Sequence, residues 1–315
     1  MPNKKRRKKR RGRLLPALLC AAFLLLLSPG GRRLMLPQRQ IGHAVSSSRP
    51  RAEAMSTHSQ EGVYSYAACL VRRRDGAVLF EQMADEELAP ASLTKIMTVL
   101  LGAERLDPMQ EVTVPEDLSF LYAENASMAG FLPGEQVRAQ DLFYGALLPS
   151  GAEACLGIAR AVSGSEEGFT QLMNRRAAEL GMENTHFENC HGLDAPGHAS
   201  TARDLALLLN VALEDPVFRR VFTSAGYHLP ASSAHPDGLA LSSTLFARMG
   251  GLTFSGGEIL GGKTGYTDQA GLCLASLARK NGEEYLLVTL GAPGTGSDEP
   301  LHIYDALYLY QKEAC

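Results

Sequence analysis

Ser92 and Lys95 stand three positions apart in the stretch ASLTKIMT, residues 91–98, which follows Pro90. At the start of a helix, this spacing puts a hydroxyl and an amine on the same face, one turn apart. A serine becomes an effective nucleophile when a neighbouring base removes its proton, and a lysine is such a base once its pKa is lowered. The pair alone is a weak signal, because a serine that caps a helix beside a solvated lysine gives the same pattern.

Two further stretches carry groups that would complete such a site. LLPSGAEAC places Ser150 between two predicted helices, and GGKTGYT places a Lys-Thr-Gly triplet, residues 263–265, on a predicted strand. Ser-x-x-Lys, a Ser-containing loop and Lys-Thr-Gly, in this order, are the signature of penicillin-binding proteins and class A β-lactamases. The side chains predicted to converge on one cleft are those of Ser92, Lys95, Ser150 and Lys263.

The elements that would hold these residues follow an order typical of an α+β fold. Strand-like runs flank Asp75-Gly76, and later ones flank Asn281-Gly282; both dipeptides are hairpin signals. Between them lie stretches with helical spacing, and PLHIYDALYLYQKE, residues 300–313, predicts a last helix. Hairpin strands pair antiparallel, so the sequence predicts an antiparallel sheet flanked by helices rather than alternating βαβ units.

The charge of the chain is distributed unevenly. Residues 1–52 hold 14 of the 31 Lys and Arg residues and no acid, which leaves 17 basic residues against 34 acidic ones in the rest. A body this acidic argues against nucleic acid as a partner, because phosphates require clustered basic side chains.

The basic N-terminus is followed by the apolar run LLPALLCAAFLLLL, residues 14–27. This combination predicts that residues 1–30 form a cytoplasmic basic segment with either a signal peptide or a membrane anchor, and both readings stay open. Residues 31–60, rich in Ser, Pro, Gly and Arg, are expected to be a linker. Residues 61–315 would then form an exported domain, secreted or anchored to the outer face of the membrane.

Two further stretches, one after the second motif and one around the third, narrow the resemblance to a single family. The stretches MNRRAAELGMENTHFENCHGLDAPGHASTARDLALL, residues 173–208, and LGGKTGYTDQAG, residues 260–271, resemble the serine D-alanyl-D-alanine carboxypeptidases, which are low-molecular-weight penicillin-binding proteins. The resemblance runs from about residue 62 to the C-terminus. It implies a DD-peptidase/β-lactamase-like fold in which a helical subdomain accompanies the sheet.

The resemblance also implies a role for each motif residue. Ser92 would be the acylated nucleophile, Lys95 its proton acceptor, and Ser150 the group that passes a proton to the leaving D-alanine. The backbone N–H groups of Ser92 and Tyr266 would form the oxyanion hole. The substrate-binding residues would be Lys263, which holds the terminal carboxylate, with Thr264, Gly265 and Tyr266 beside it on the same strand.

The function that the resemblance implies is hydrolysis of the terminal D-alanine from peptidoglycan stem pentapeptides through an acyl-enzyme, in the bacterial cell envelope. β-Lactams would act as covalent inhibitors, and neither metal nor organic cofactor is expected. A zinc site formed by the ligand types in NCHGLDAPGH fits no usual zinc spacing. Arg248 stays open as either a carboxylate-binding or a structural residue.

The second motif departs from the family pattern. The family has Ser-x-Asn, whereas this chain has Ser150-Gly151-Ala152, followed by Glu153, which we interpret as structural. Alanine can hydrogen-bond neither the substrate amide nor the catalytic lysine. Two alternatives to the carboxypeptidase therefore stay open: a protein of the same fold that binds peptidoglycan or penicillin without turnover, and a β-lactamase.

Overall fold

The computed structural model describes residues 63–248 and 252–314. The predicted signal or anchor segment, residues 1–30, and the predicted linker, residues 31–60, lie outside the described residues. Within the described ranges, no helix is both long enough and apolar enough to cross a bilayer. The domain boundaries inferred from the sequence therefore stay a prediction.

The described part of the chain is built on a six-stranded sheet in which every neighbouring pair is antiparallel. The strand order is β2-β1-β10-β9-β8-β7, and two separate two-stranded sheets, β3-β4 and β5-β6, lie outside it. The predicted α+β class is confirmed. The strands are β1 (Ala67–Arg72), β2 (Ala77–Gln82), β3 (Glu111–Thr113), β4 (Gln136–Arg138), β5 (Gly226–Leu229), β6 (Leu239–Ser242), β7 (Thr253–Phe254), β8 (Gly257–Thr267), β9 (Gly271–Lys280) and β10 (Glu283–Ala292).

Helices cover the sheet and form a separate helical block. They are α1 (Lys95–Arg105), α2 (Ser119–Ala123), α3 (Ala139–Leu147), α4 (Ala152–Ser163), α5 (Glu166–Leu180), α6 (Ala202–Ala212), α7 (Pro216–Phe222), α8 (Thr244–Arg248) and α9 (Leu301–Lys312). α9 packs on β9 and β10, α6 packs on β1 and β10, and α1 packs against α4 and α3. The predicted helical subdomain therefore lies between the first hairpin and the last three long strands in the sequence.

The central strands are buried on both faces, which explains their nearly continuous apolar sequences. In β10, Leu287 belongs to the apolar cluster that contains Ile303 and Leu309 of α9. Its neighbours Leu286 and Val288 belong to the other cluster, which holds most of the remaining helices. Side chains along a strand alternate between faces. A single strand therefore supplies apolar side chains to two cores.

The nucleophile segment differs from its predicted form. The sequence predicts an α-helix that begins near Pro90 and Ser92, whereas the structure has a 3₁₀ turn over Ala91–Thr94 and an α-helix only from Lys95. Ala91 has a φ of 47°, in the left-handed region that a regular helix start would not use. The Ser-x-x-Lys motif therefore spans the junction between the two helix types.

His302 of α9 is a buried polar residue that the sheet and its helix enclose completely. Its exposed fraction is 0%, and neither ring nitrogen has a hydrogen-bond partner among the described residues. Burial, reinforced by the positive charge of Arg248, lowers the pKa of His302 from 6.5 to about 3. The folded protein therefore keeps this imidazole neutral at pH values where the unfolded chain protonates it.

This difference predicts a pH-dependent loss of stability. Below pH 6.5 His302 is protonated in the unfolded chain, whereas in the folded protein it stays neutral down to about pH 3, so the free energy of unfolding falls as the pH falls. Replacing His302 with Leu should reduce the slope of the free energy of unfolding against pH in this range by about 1.4 kcal/mol per pH unit. It should also raise the free energy of unfolding at pH 7 by about 1–3 kcal/mol. Urea unfolding between pH 4 and 7 measures both.

The control variant is His302→Gln, which is also unable to titrate in this range but keeps a buried polar group. It should remove the same slope without the gain at pH 7. An unaltered slope in both variants would mean that His302 titrates normally in the folded state.

Candidate active site

Three polar side chains from the predicted motifs meet at Ser92. The Lys95 amine lies 2.8 Å from Ser92 Oγ, and Ser150 Oγ donates to the same Ser92 oxygen at 2.9 Å. Ser92 is partly exposed, whereas Lys95 and Ser150 are buried, with exposed fractions of 2% and 5%. Ser92 therefore keeps some contact with solvent, while its two polar neighbours lie away from water.

Burial controls the electrostatics of the two site lysines. It lowers the pKa of Lys95, and nearby acidic groups, first Cys155, oppose this shift only in part. It lowers the pKa of Lys263 well below the usual value, and repulsion from Lys95 adds to the effect. Two ammonium groups close together in a dry pocket are unfavourable, so burial and repulsion together disfavour the state in which both amines are charged. In its neutral form, the Lys95 amine can accept the proton of the serine hydroxyl.

The loop 189–193 holds the Lys95 amine from the other side. The carbonyl of His191 accepts a hydrogen bond from Lys95 Nζ at 2.5 Å, and the carbonyl of Cys190 accepts one from Thr98 Oγ1 at 2.6 Å. A carboxylate oxygen of Glu166 accepts from the backbone N–H of Cys190 at 3.1 Å. The lysine that approaches Ser92 is therefore oriented by the backbone carbonyl of His191, a residue outside the three motifs.

Ser150 sits in a tight turn between α3 and α4. Its φ is 72°, a left-handed conformation that is uncommon for a residue other than glycine. The backbone N–H groups of Gly151 and Ala152 donate to the carbonyls of Gly145 and Ser127, both at 2.8 Å. These bonds hold the turn so that the Ser150 hydroxyl reaches Ser92.

Glu153, which follows this turn, connects it to the backbone of residues 129–131. Its Oε1 accepts from the backbone N–H groups of Ala129, Gly130 and Phe131 at 2.6, 2.8 and 3.2 Å. Burial raises the pKa of this carboxyl, and the N–H donors counteract the shift. The hydrogen bonds of Glu153 therefore run to a neighbouring loop rather than to Lys95, as a structural role requires.

Strand β8 carries the third motif directly past the nucleophile. A Cβ added at Gly265 would lie 3.1 Å from both Ala91 Cβ and Ser92 N, so the strand passes the nucleophile turn closer than most side chains allow. The amine of Lys263 donates to the carbonyl of Thr264 at 2.5 Å, and Thr264 Oγ1 lies 2.6 Å from Thr244 Oγ1. The predicted substrate-binding strand thus borders the turn that bears Ser92.

Two other predicted residues have side chains engaged elsewhere. The hydroxyl of Tyr266 donates to Asp268 at 2.6 Å, so only its backbone is left for the oxyanion role inferred from the sequence. Arg248 donates to the carbonyl of Asp298 at 2.6 Å, a structural contact of the α8 terminus.

The ligand types of NCHGLDAPGH serve other contacts. Cys190 Sγ donates to Glu166 at 3.3 Å, and His198 bonds Thr94 and the backbone of Glu188. Within residues 63–248 and 252–314, no three His, Cys, Asp or Glu side chains converge as metal ligands would.

Gly192 packs against the peptide bond that precedes the nucleophile. Its φ is 86°, and an added Cβ would lie only 2.0 Å from the carbonyl oxygen of Ala91 and 3.0 Å from Ser92 N. The sequence motifs did not identify Gly192 as a site residue. Its one signal in the sequence is the glycine of the stretch HGLD, residues 191–194. Position 192 therefore admits no side chain without displacing the nucleophile turn.

A matched pair of glycine variants tests this contact. Gly181 also has a positive φ, 78°, but an added Cβ there would meet nothing within 4 Å. Gly181→Ala should cost about 1 kcal/mol of backbone strain and leave the reactivity of Ser92 unchanged. Gly192→Ala should slow acylation of Ser92 by a fluorescent penicillin by at least about 100-fold, because the turn must shift. Equal acylation rates for the two variants would disprove the contact.

Comparison with known proteins places this arrangement among the DD-peptidases. The family described as D-alanyl-D-alanine carboxypeptidase, Peptidase S11, matches residues 54–294. The D-alanyl-D-alanine carboxypeptidase DacF of Bacillus subtilis (strain 168) is 35% identical over 230 residues, covering 72% of this chain and 57% of the relative. DacC of Escherichia coli (strain K12) is 44% identical over 170 residues, covering 51% of this chain and 42% of the relative. The chain thus spans about half the length of these relatives.

Solved structures give the same result for the fold. The Streptomyces K15 DD-transpeptidase superposes with a TM-score of 0.70 at 26% identity, covering 79% of this chain and 96% of that one. A D-alanyl-D-alanine carboxypeptidase of Mycobacterium tuberculosis H37Rv superposes with a TM-score of 0.65 at 25% identity, covering 78% of this chain and 90% of that one. The predicted DD-peptidase-like architecture is confirmed.

Proposed function

The chain belongs to the D-alanyl-D-alanine carboxypeptidase family Peptidase S11, and from this premise we propose that it removes the terminal D-alanine of peptidoglycan stem pentapeptides through an acyl-enzyme on Ser92. One observation carries the proposal. The hydroxyl oxygen of the partly exposed residue Ser92 lies 2.8 Å from a buried lysine amine whose pKa is lowered by that burial.

Acylation follows from this geometry. The neutral amine of Lys95 takes the proton of Ser92 as the serine oxygen attacks the carbonyl carbon of the penultimate D-alanine. An ester C–O bond forms, the peptide C–N bond breaks, and the leaving amine of the terminal D-alanine takes up a proton. Ser150, whose hydroxyl is 2.9 Å from Ser92 Oγ, is suited to pass that proton to the departing nitrogen.

Recognition of the substrate would rest on β8. The terminal carboxylate would pair with Lys263, whose lowered pKa would rise once a negative charge is next to it. The hydroxyl of Thr264 offers a second contact. The backbone N–H groups of Ser92 and Tyr266 would stabilise the oxyanion, and losing one such donor costs about 3 kcal/mol of transition-state stabilisation. Water then hydrolyses the ester and releases the shortened stem peptide.

The compartment is part of the same proposal. Peptidoglycan stems lie outside the cytoplasmic membrane, and the basic, then apolar, residues 1–30 support export as a secreted or membrane-anchored protein. The catalytic domain would comprise residues 61–315, after a linker over residues 31–60. β-Lactams, as mimics of the stem terminus, would acylate Ser92 covalently.

Replacing the nucleophile tests the reaction directly. Ser92→Ala should abolish labelling by a fluorescent penicillin and lower D-alanine release from diacetyl-Lys-D-Ala-D-Ala by at least about 1,000-fold, because no acyl-enzyme can form. Ser224→Ala is the control, since that hydroxyl bonds only its own helix end, at 2.7 Å to Arg220 O. Undiminished D-alanine release by Ser92→Ala would refute the proposal.

A binding protein without turnover is the second candidate, and Ala152 is the observation that favours it. Ala152 is 1% exposed, and its methyl side chain can form no hydrogen bond where the family has the amide of an asparagine. If the purified protein bound the peptide and formed a penicillin adduct but released no D-alanine, this candidate would replace the first. Rapid turnover of penicillin would instead indicate a β-lactamase.

Restoring the asparagine measures what Ala152 costs. Ala152→Asn should raise kcat/KM for the peptide by about 2- to 10-fold, because one added hydrogen bond between neutral groups contributes about 0.5–1.5 kcal/mol. Ala152→Leu has the same branched shape without the amide and should show no gain. If both variants lose activity equally, steric crowding dominates at this position and the amide is not the missing element.

A further inference from the structure

The peptide bond between Ala91 and Ser92 contributes to the site through both of its polar atoms. Its N–H belongs to Ser92 and is one of the two proposed oxyanion donors. Its carbonyl, on Ala91, accepts a hydrogen bond from Thr94 Oγ1 at 2.8 Å. Thr94 has an exposed fraction of 0%, so water does not compete for this bond.

A second buried residue continues the same chain of hydrogen bonds. His198 Nε2 lies 2.8 Å from Thr94 Oγ1, and His198 Nδ1 lies 2.9 Å from the backbone nitrogen of Glu188. A backbone N–H can only donate, so Nδ1 is the acceptor and the proton of the neutral imidazole is on Nε2. Burial lowers the pKa of His198 to about 4, which keeps the ring neutral at pH 7.

The direction of every bond in the chain is therefore fixed. The Glu188 N–H donates to His198, the His198 Nε2–H donates to Thr94, and the Thr94 hydroxyl donates to the Ala91 carbonyl. The ring of His198 packs on Phe187, with 5.9 Å between ring centroids, which fixes its position. This series of hydrogen bonds starts in the loop of residues 186–199 and ends at the peptide bond between Ala91 and Ser92.

We propose that Thr94 and His198 are positioning residues that set the orientation and the donor strength of the Ser92 N–H in the oxyanion hole. The inference rests on the proposed function, because the oxyanion is the one that forms during acylation of Ser92. Neither residue touches the substrate in this account; both act through the Ala91–Ser92 peptide unit.

Two physical effects support the proposal. Hydrogen bonds in a series polarise one another, so a donor on the Ala91 carbonyl makes the N–H of the same peptide a stronger donor. The chain also holds Ala91 at a φ of 47°, a conformation that persists only where surrounding contacts impose it. Gly192, on which an added Cβ would clash with the Ala91 carbonyl oxygen, restricts the same peptide unit at close range.

The kinetic test compares two substitutions at Thr94. Thr94→Val keeps the shape without the hydroxyl, and Thr94→Ser keeps the hydroxyl. Thr94→Val should slow acylation by a fluorescent penicillin, and weaken binding of a peptide boronate that mimics the tetrahedral oxyanion, by about 10-fold or more. The KM for diacetyl-Lys-D-Ala-D-Ala should change by less than about twofold, because ground-state binding does not use a strong oxyanion contact. Thr94→Ser should recover most of both losses.

His198→Phe keeps an aromatic ring and should reproduce the Thr94→Val losses, and the double variant should be no worse than either single one, because both break one chain. If Thr94→Val acylates and binds the boronate as the unaltered protein does, the proposal is overturned. Equal losses in Thr94→Val and Thr94→Ser, matched by equal drops in melting temperature, would also overturn it, since those are the marks of packing alone.

A spectroscopic test of the same proposal does not depend on turnover. In ¹⁵N NMR at pH 7, His198 should be the Nε2–H tautomer, and the Ser92 amide nitrogen should shift upfield in Thr94→Val and His198→Phe but not in Thr94→Ser. The Nδ1–H tautomer, or a Ser92 amide indifferent to Thr94, would overturn the positioning role. Absence of D-alanine release from the unaltered protein would overturn the proposed function instead, while this test would still decide the role of Thr94 and His198.

Discussion

The site depends on one physical condition: an amine must stay neutral within hydrogen-bond distance of a serine hydroxyl. Burial acts in this direction on Lys95, which has an exposed fraction of 2% and a pKa lowered by desolvation. In water the same amine would be protonated at neutral pH and could not accept a proton from Ser92. The packing of α1 against α3 and α4 therefore does more than stabilise the helical block, because it keeps water away from the base.

The burial of Lys95 creates a need for polar partners, and distant segments supply them. A buried amine without hydrogen bonds would be costly. The His191 carbonyl, from a loop about one hundred residues away in sequence, and the hydroxyl of Ser92 fill that role. Glycines at 192 and 265 allow this loop and β8 to approach the nucleophile turn, since a Cβ at either position would meet it at or below 3.1 Å. The sheet and the helical block can therefore meet at Ser92 because glycines let their backbones approach closely, as well as because their side chains form hydrogen bonds there.

Local signals in the sequence were sufficient for much of the fold. Ser165 accepts from the Gly168 N–H and Gly181 has a φ of 78°, so α5 begins and ends at residues whose types favour a helix cap and a helix end. The hairpin dipeptides at 75–76 and 281–282 join β1 to β2 and β9 to β10. These features depend on residues that are neighbours in the chain, and their physical chemistry is local.

What the sequence did not indicate depends on tertiary contacts. The left-handed φ of Ala91, the carbonyl of His191 as a lysine ligand and the three backbone donors of Glu153 have no local pattern. The bonds of Glu153 join residues 22 to 24 positions apart, and that of His191 joins residues 96 apart. A motif names the groups that react, whereas the contacts that orient those groups appear only when remote segments fold together.

The two buried lysines also couple recognition to chemistry. Burial and the repulsion from a charged Lys95 both disfavour a charge on Lys263. A substrate carboxylate beside Lys263 would favour its charged form, because opposite charges at close range raise the pKa of an amine. The positive charge on Lys263 would then lower the pKa of Lys95 further and favour the neutral form of Lys95 in the complex that needs it as a base. A peptide without a free terminal carboxylate would lose both the contact and this effect on the base, so under the proposed function a preference for a chain end would follow from electrostatics as well as from shape.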